Sequence, residues 1–346
     1  MRKFIFFSVS ICLLSCREQF APIAKNALKP SVITEVASHD TDDPAIWINP
    51  ADPSESLVLG TDKDSDGALY LYDMNGKVLK KSIALKRPNN VDIAYGMMIE
   101  GLSTAIAVTT ERESNKIRIF SMPDLTPIDN GGIEVFADET ERGPMGVALY
   151  TRPSDKKIFS IVGRKAGPQE NYLWQYELTS TQNGTVSARL IRKFGNYSGR
   201  KEIEAIAVDN QMGYVYYSDE GVGIRKYYAD PAKRDNKQLA LFGDKDFKED
   251  NEGISIYQTS DSTGYILVSN QQINSFVVYK REGDGRNPNG HKLFKEIPFS
   301  TVESDGSDVT NVNLGGKFPK GMFVAMSNGK VFHYYDWRDI ESFLLN

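Results

Sequence analysis

The chain has 346 residues, with 41 lysines and arginines against 46 aspartates and glutamates, and a formal net charge of −5. This acidic balance argues against nucleic acid as a partner, because phosphate backbones are bound by basic surfaces. Only two cysteines are present, Cys12 and Cys16, so we expect a hydrophobic core and not disulfides to hold the fold. Length alone does not distinguish two ordinary domains from one large all-β domain.

The first fifteen residues have the pattern of an export signal. Arg2 and Lys3 form a basic start, and the apolar run over residues 4–14 is too short to span a bilayer as a helix. The run ends at Leu13-Leu14-Ser15-Cys16, which resembles a bacterial lipoprotein cleavage site and implies lipidation of Cys16. We therefore predict a lipoprotein signal peptide over residues 1–15. The alternative is an ordinary signal peptide with an incidental cysteine.

Cleavage before Cys16 would leave 39 basic residues against 46 acidic ones and Cys16 as the only cysteine. The lipid would anchor the protein to a membrane surface without spanning it. The predicted location is the bacterial outer membrane, on its periplasmic or its outer face. Residues 16–30 are predicted to be a short tether.

Beyond the tether the chain is predicted to be all-β, because its β-branched and aromatic runs are short and are broken by Gly, Asn, Asp and Pro. Six of these runs begin with, or just behind, a cluster of acidic or amide residues. Their spacing is roughly 50 residues, the length of one four-stranded propeller blade. The clusters are Asp42-Asp43-Pro44-Ala45-Ile46-Trp47, Asn89-Asn90-Val91-Asp92-Ile93, Gly143-Pro144-Met145-Gly146-Val147, Glu202-Ile203-Glu204-Ala205-Ile206, Asp250-Asn251-Glu252-Gly253-Ile254 and Asp305-Gly306-Ser307-Asp308-Val309.

A second repeat has the same period. An aromatic residue lies late in a strand-like run of each unit, at Tyr72, Phe120, Tyr176, Tyr227, Tyr279 and Tyr335. Six such units predict a six-bladed β-propeller over residues 31–346. The last unit lacks an outer strand, while residues 31–37 belong to no unit. We predict that this N-terminal segment completes the last blade and closes the ring without a free edge.

In a propeller, the first strand of each blade lines the central channel, and the loop after the second strand reaches the same channel mouth. We therefore expect carboxylates and amides to meet at one mouth, surrounded by basic side chains. The acidic and amide set is Asp43, Asn90, Asp92, Glu204, Glu220, Asp250, Glu252 and Asp305, and the basic set is Lys63, Arg112 and Lys165.

Carboxylates packed together must shift their pKa values or bind a cation. Several Ca²⁺ ions would suit this set, because calcium takes six to eight oxygen ligands in flexible geometry. Zinc fits poorly, since the chain offers only His39, His291, His333 and one cysteine after processing. The alternative is that each acid caps a turn on a solvated rim, and that Lys63 and Arg112 form salt bridges there.

Acidic and basic groups at one mouth suit a phosphorylated polyanion bound through metal ions and cationic side chains. Other phosphatase and hydrolase mechanisms lack their motifs in this sequence. It has no Arg-His-Gly run, no Gly-x-Ser-x-Gly elbow and no P-loop.

Taken together, these motifs resemble those of the β-propeller phytases, the calcium-dependent bacterial 3-phytases. The resemblance runs from about residue 40 to the C-terminus and includes Phe318-Pro319-Lys320-Gly321-Met322-Phe323-Val324-Ala325. It implies hydrolysis of myo-inositol hexakisphosphate (phytate) by a metal-bound water, without a covalent enzyme intermediate.

The resemblance also implies roles for single residues. Asp43, Glu204, Glu220, Asp250, Glu252 and Asp305 match ligands of the catalytic calcium cluster or of its water. Lys63 and Arg112 match phosphate-binding residues, and the corresponding lysine of the third unit falls at Lys165 or, with a shift of one residue, at Arg164. Within this set, Glu204, Glu220, Asp305, Lys63 and Arg112 are the predicted catalytic residues.

The sequence departs from the family pattern at two places. Met145 stands where well-known members have a tyrosine at the metal site, and one acidic residue upstream of Asp305 is missing, with Glu303 as its nearest substitute. Two alternative functions therefore remain: a non-catalytic propeller that binds a ligand or partner, and a calcium-dependent propeller lactonase or esterase. We expect the protein to be a monomer.

Overall fold

The computed structural model describes residues 20–345. Within this range the chain forms six antiparallel sheets, each built mainly from consecutive strands and arranged as the blades of a β-propeller. The predicted six-bladed fold is confirmed. The predicted signal peptide and the predicted lipidation site at Cys16 lie outside the described residues.

Each blade is one sheet whose first strand lies at the channel. The N-terminal strand is β1 (Val32–Ile33). Blade one contains β2 (Thr41–Trp47), β3 (Leu57–Asp62), β4 (Ala68–Tyr72) and β5 (Val78–Lys81). Blade two contains β6 (Pro88–Ile99), β7 (Leu102–Glu111), β8 (Lys116–Ser121), β9 (Thr126–Pro127) and β10 (Ile133–Glu134). Blade three contains β11 (Pro144–Thr151), β12 (Ile158–Arg164), β13 (Glu170–Ser180) and β14 (Val186–Asn196).

The remaining blades follow the same order. Blade four contains β15 (Ile206–Asp209), β16 (Tyr214–Asp219), β17 (Gly223–Tyr228) and β18 (Ala240–Phe242). Blade five contains β19 (Asn251–Gln258), β20 (Gly264–Asn270), β21 (Ser275–Lys280) and β22 (Leu293–Pro298). Blade six contains β23 (Ser307–Thr310), β24 (Met322–Ser327), β25 (Val331–Asp336) and β1.

Helical structure is short in the described residues. Four 3₁₀ turns cover Pro53–Glu55, Arg112–Ser114, Pro231–Lys233 and Gln271–Ile273. One α-helix, α1 (Trp337–Leu345), follows the last strand. None of the helices between residues 20 and 345 has the length and apolar character needed to cross a membrane.

The hydrophobic core is divided among the six contacts between neighbouring blades. Each buried apolar cluster draws its side chains from two adjacent sheets, and the cluster between blades five and six also includes α1. The aromatic residues that marked the repeat all lie in third strands and are buried: Tyr72, Phe120, Tyr176, Tyr227, Tyr279 and Tyr335. Burial of large side chains on both faces of each blade therefore holds the ring together.

The N-terminal segment closes the ring as predicted. Strand β1 pairs antiparallel with β25, so that Val32 lies opposite Tyr334. The pairing continues in both directions, since Ser31 and Ala37 each donate a backbone hydrogen bond to the last blade. This strand covers the edge that β25 would otherwise expose.

Two features differ from a uniform repeat of four strands. Blade two has a fifth short strand, because β9 and β10 both pair with β8. Helix α1 was not predicted, because the C-terminal segment is short and its pattern was considered only as an outer strand. Its Trp337 stacks on Tyr257 with ring centroids 3.4 Å apart, and Ile340 and Leu344 are buried.

The segment predicted as a tether contacts the propeller within the part that the structure describes. Leu28 is buried and forms a parallel bridge with Phe299 beside blade five. Closer to the N-terminus, the carbonyl of Ala21 accepts a hydrogen bond from the side chain of Asn274 (2.9 Å). These contacts fix residues 21–28 along the outer side of blade five.

Candidate active site

The inner strands carry a common irregularity where they reach one mouth of the channel. In blades one, two, three and five the inner strand has one extra residue there, so that the strand register shifts by one between Thr41 and Pro44, Pro88 and Val91, Pro144 and Val147, and Asn251 and Ile254. In blades four and six the strand begins two residues after Glu204 and Asp305. Such bulges re-aim side chains. The equivalent positions around the mouth are Asp42, Asn89, Met145, Glu204, Glu252 and Asp305.

Lys63 connects carboxylates from three blades. Its Nζ donates to Asp42 and lies 4.0 Å from Oε1 of Glu204 and 3.6 Å from Oδ2 of Asp305. Asn89 Nδ2 donates to Oδ2 of Asp42 (2.9 Å) and also to Glu204. The predicted residues Lys63, Glu204 and Asp305 therefore meet at the mouth, together with Asp42 and Asn89, which the sequence prediction did not select.

A second acidic group adjoins the first. One carboxylate oxygen each from Glu202, Glu204 and Glu220 lie within 4.8 Å of one another. Oε1 of Glu220 is buried and has no hydrogen-bond partner among residues 20–345. Lys165 Nζ donates to Oε2 of Glu202 (2.7 Å) on the outer side of the group.

Blade five adds Asp250 and Glu252. Asp250 accepts hydrogen bonds from the side chains of Lys201 and Gln272, the latter at 2.8 Å. A cavity of about 490 Å³ opens beside these residues. It is lined by Lys165, Ala166, Tyr197, Lys201, Glu202, Glu220, Asp250 and Glu252.

The electrostatics of the mouth favour uptake of positive charge. Burial, reinforced by neighbouring carboxylates, raises the pKa of Glu204 and Glu252 well above the usual value for a glutamate. The same causes raise the pKa of Glu220 to about 8, and burial raises the pKa of Asp305 to about 7. Burial opposes the charge of Lys63, but Asp42, Glu204 and Asp305 outweigh it and raise the pKa of the lysine. A cation close to these carboxylates would stabilise their ionised forms.

Three of the predicted metal residues lie in the channel and not at the mouth cluster. Asp43, Asn90 and Asp92 line a channel cavity of about 180 Å³ together with Asp308. Asp43 accepts a hydrogen bond from the backbone N–H of Val91 (3.0 Å). Asp92 and Asp308 likewise accept from a backbone N–H of the following blade, that of Leu149 (2.6 Å) and of Ile46 (2.8 Å). These carboxylates thus link neighbouring blades along the channel.

The basic residues differ in how free they are to meet an anion. Arg164 is fully buried over the rings of Phe136 and Tyr172, and its Nη1 donates to the carbonyl of Glu141. Lys165 has a side chain that is 57% exposed and contacts the mouth cluster. Of the two alignments that the resemblance left open, the geometry favours Lys165.

Arg112 begins the 3₁₀ turn that follows β7, at the mouth end of blade two. Its Nε is buried and makes no hydrogen bond within residues 20–345. An unsatisfied guanidinium nitrogen costs free energy unless a ligand meets it, so this position is compatible with the predicted anion contact.

Met145 occupies the position in blade three that carries an oxygen or amide group in the other five blades. It is buried, and its carbonyl accepts a hydrogen bond from Thr110 Oγ1 (2.5 Å). A thioether is a poor ligand for a hard cation. Blade three therefore contributes no side-chain oxygen at this point of the mouth.

The comparisons with known proteins agree with this arrangement. A family model described as Phytase matches residues 6–333. The chain is also 30% identical over 331 residues to the 3-phytase of Bacillus subtilis (strain 168), covering 89% of this chain and 83% of that protein. The chain belongs to the phytase family. The prediction of a β-propeller phytase, and of a hydrolase of that type, is confirmed.

Solved structures with low sequence identity share the fold alone. A luciferin-regenerating enzyme aligns with a TM-score of 0.53 at 12% identity, covering 88% of this chain and 95% of that one. Hydrazine synthase of Kuenenia stuttgartiensis aligns with a TM-score of 0.50 at 11% identity, covering 84% and 82%.

The sequence did contain a signal for the residues of this phytase-family chain that the prediction missed. Asp42, Asn89 and Glu202 each stand within a motif that was selected, but a neighbouring residue was preferred or no role was given. The bulges decide which side chain of each pair turns into the mouth, and a bulge is not visible in the sequence. Lys201 lies just before the fourth motif, in a stretch without a strand pattern.

Proposed function

We propose that this phytase-family chain is a calcium-dependent phosphomonoesterase that hydrolyses phytate to lower inositol phosphates and phosphate. One observation carries the proposal: carboxylates from blades one, four, five and six converge with lysines on one channel mouth. The similarity to a protein named 3-phytase supports the substrate. A non-catalytic binding propeller or a lactonase would not need lysine side chains around the mouth.

The donor set fits calcium. It consists of carboxylate oxygens, one of which, Oε1 of Glu220, is buried without a hydrogen-bond partner in the described chain. Hard oxygen ligands in irregular number are what calcium accepts. The residues that would hold several ions are Asp42, Glu202, Glu204, Glu220, Asp250, Glu252 and Asp305, with Asp43, Asn90 and Asp92 deeper in the channel. When bound, calcium supplies Lewis-acid chemistry: it offsets the charge of phosphate oxygens and makes water a stronger nucleophile.

The remaining work falls to the side chains. Lys63, which already reaches Asp42, Glu204 and Asp305, would bind oxygens of the phosphate that is cleaved. Arg112 and Lys165 would hold phosphates at the rim. We infer direct attack by water on phosphorus, without a covalent enzyme intermediate.

Phosphate release from phytate tests the proposal. The purified protein should release phosphate with calcium and lose the activity in a chelator that removes it. Asp42→Asn and Glu204→Gln should each lower kcat/KM by about 100-fold or more, because each removes a charge from the mouth. Unchanged circular dichroism would show that the fold survives. A protein that releases no phosphate with calcium present would refute the proposal.

We also propose that the protein is exported and lipid-anchored to the outer membrane through Cys16. The support is the basic start, the apolar run and the Leu13-Leu14-Ser15-Cys16 sequence. Cells fed a labelled fatty acid should incorporate the label into the wild-type protein and not into Cys16→Ser. Label in the variant, or none in the wild type, would contradict this anchoring.

A further inference from the structure

Lys201 lies at the mouth, and the proposed function gives its side chain no role. It lines the cavity of about 490 Å³ together with Lys165, and it also lines a neighbouring groove between blades four and five, of about 460 Å³. Glu220 and Asp250 are shared by the two spaces. Lys201 therefore stands where the mouth widens towards the surface of blades four and five.

The ammonium of Lys201 is paired with a carboxylate that we assign to the metal. Its Nζ donates to Oδ1 of Asp250, and the lysine side chain is 47% exposed whereas that of Asp250 is 13% exposed. Asp250 is held independently of the lysine. Its backbone N–H donates to Gln272 Oε1 (2.9 Å), and Gln272 Nε2 donates back to its Oδ2 (2.8 Å).

Asp250 and Lys201 differ in how firmly they are held, and this decides which of the two side chains moves. The carboxylate is fixed by Gln272, whereas the lysine is long, half exposed and free to swing about its four-carbon stem. When a divalent cation takes Asp250, the lysine loses its partner by competition for the same oxygen. It then becomes an unpaired cation at the edge of the mouth.

We propose that Lys201 is a further substrate-binding residue, which exchanges Asp250 for a phosphate of the substrate when calcium binds. The inference rests on the proposed function and names the part of the substrate involved. The phosphate that Lys201 meets is not the one cleaved, because Lys63 lies with Glu204 and Asp305 at the centre, whereas Lys201 lies towards blades four and five. The substrate would therefore carry more than one phosphate.

The exchange predicts opposite effects on two ligands. In Lys201→Met, calcium measured without substrate should bind about twofold to fivefold more tightly, because a half-exposed ion pair no longer competes. Inositol hexakissulfate, a hexaanion that is not a phosphate ester, should bind about tenfold more weakly in saturating calcium, because one charge-assisted contact is lost. Both affinities are measured by isothermal titration calorimetry, which does not depend on turnover.

Kinetics supply an independent readout. For phytate, KM of Lys201→Met should rise about tenfold while kcat changes by less than about threefold, since a remote phosphate contributes binding and not chemistry. For a monophosphate ester, KM should be the same as in the wild type. Lys201→Arg should restore most of the phytate affinity, because the charge is kept.

Lys292→Met is the matched control. Lys292 is 83% exposed and lies 3.6 Å from Asp284, in the loop between β21 and β22 and thus at the opposite end of the blade from the mouth. Its removal should alter neither ligand. Unchanged hexakissulfate binding in Lys201→Met, or weaker calcium binding, would overturn the inference. The proposed function would still stand if the wild-type protein were active. If Lys201→Met does not fold, Lys201→Gln replaces it in the same titrations, with the same expected results and the same results that would overturn the inference.

Discussion

The mouth brings together seven carboxylates and three lysines, and the lysines are paired with carboxylates. Each lysine pairs with a carboxylate of the candidate metal set: Lys63 with Asp42, Lys165 with Glu202 and Lys201 with Asp250. The same lysines are the candidate phosphate ligands. The candidate metal and substrate sites would therefore be linked through shared ion pairs, and by thermodynamic reciprocity each ligand would strengthen the binding of the other.

Glu220 gives this charge balance a measurable pH dependence. Burial raises its pKa in the folded protein to about 8, against an ordinary 4.5. Without metal, the folded protein must therefore keep a proton that the unfolded chain has released. The resulting stability is present below about pH 4.5 and is lost as the pH rises towards 8.

Glu220→Gln should remove this dependence. In chelator, we expect the variant to match the wild type near pH 4.5 and to exceed it in unfolding free energy at pH 8 by on the order of 4 kcal/mol. In saturating calcium the order should reverse, because the variant lacks a metal ligand. Urea unfolding followed by circular dichroism at several pH values measures both. A variant that is less stable than the wild type at pH 8 without metal would contradict the raised pKa.

Strand β1 shows how a short element can complete the fold. It has only two residues, but Val32 is 7% exposed and packs with blades one and six, whereas Val36, four residues on, is 65% exposed. Val32→Asp would bury an unpaired carboxylate, at a cost of about 2–4 kcal/mol. We expect the melting temperature to fall by about 3–6 °C.

Val36→Asp provides the matched control and should leave the melting temperature within about 1–2 °C of the wild type. Differential scanning calorimetry of both variants in calcium makes the comparison. Equal melting temperatures would mean that the ring is stable without the pairing of β1 and β25.

The elements that the sequence revealed are those with a strong period. Tyr72 and its five equivalents marked the third strands because a buried aromatic recurs there in every blade. Residues 31–37 were predicted to complete the last blade because that blade lacked an outer strand. The missed features depend on geometry that has no period. The bulge at Asp42-Asp43 sends the first carboxylate to Lys63 and the second to Val91 N–H, so the sequence located the motif but not the residue.

Across the whole molecule, the two ends of the channel are held by different interactions. At the end opposite the mouth, Arg281 of blade five forms a fully buried, bidentate ion pair with Asp209 of blade four, with N–O distances of 2.6 and 2.7 Å. At the mouth, the same two blades present Glu220 and Glu252, whose negative charges repel. The end opposite the mouth therefore has its charges paired within the protein, and we expect the mouth to be stabilised by an added cation.

This asymmetry predicts separate responses to calcium. Asp209→Asn leaves Arg281 buried without its counter-charge and should cost about 3–5 kcal/mol, yet its melting temperature should still rise with calcium as much as in the wild type. Binding at 100 times the dissociation constant adds about 2.7 kcal/mol, which corresponds to a rise of about 4 °C for a domain of this length. Glu252→Gln should instead keep the ion pair and show a smaller rise. Calcium titrations followed by calorimetry distinguish the two, and a calcium response lost in Asp209→Asn but kept in Glu252→Gln would place the stabilising ions away from the mouth.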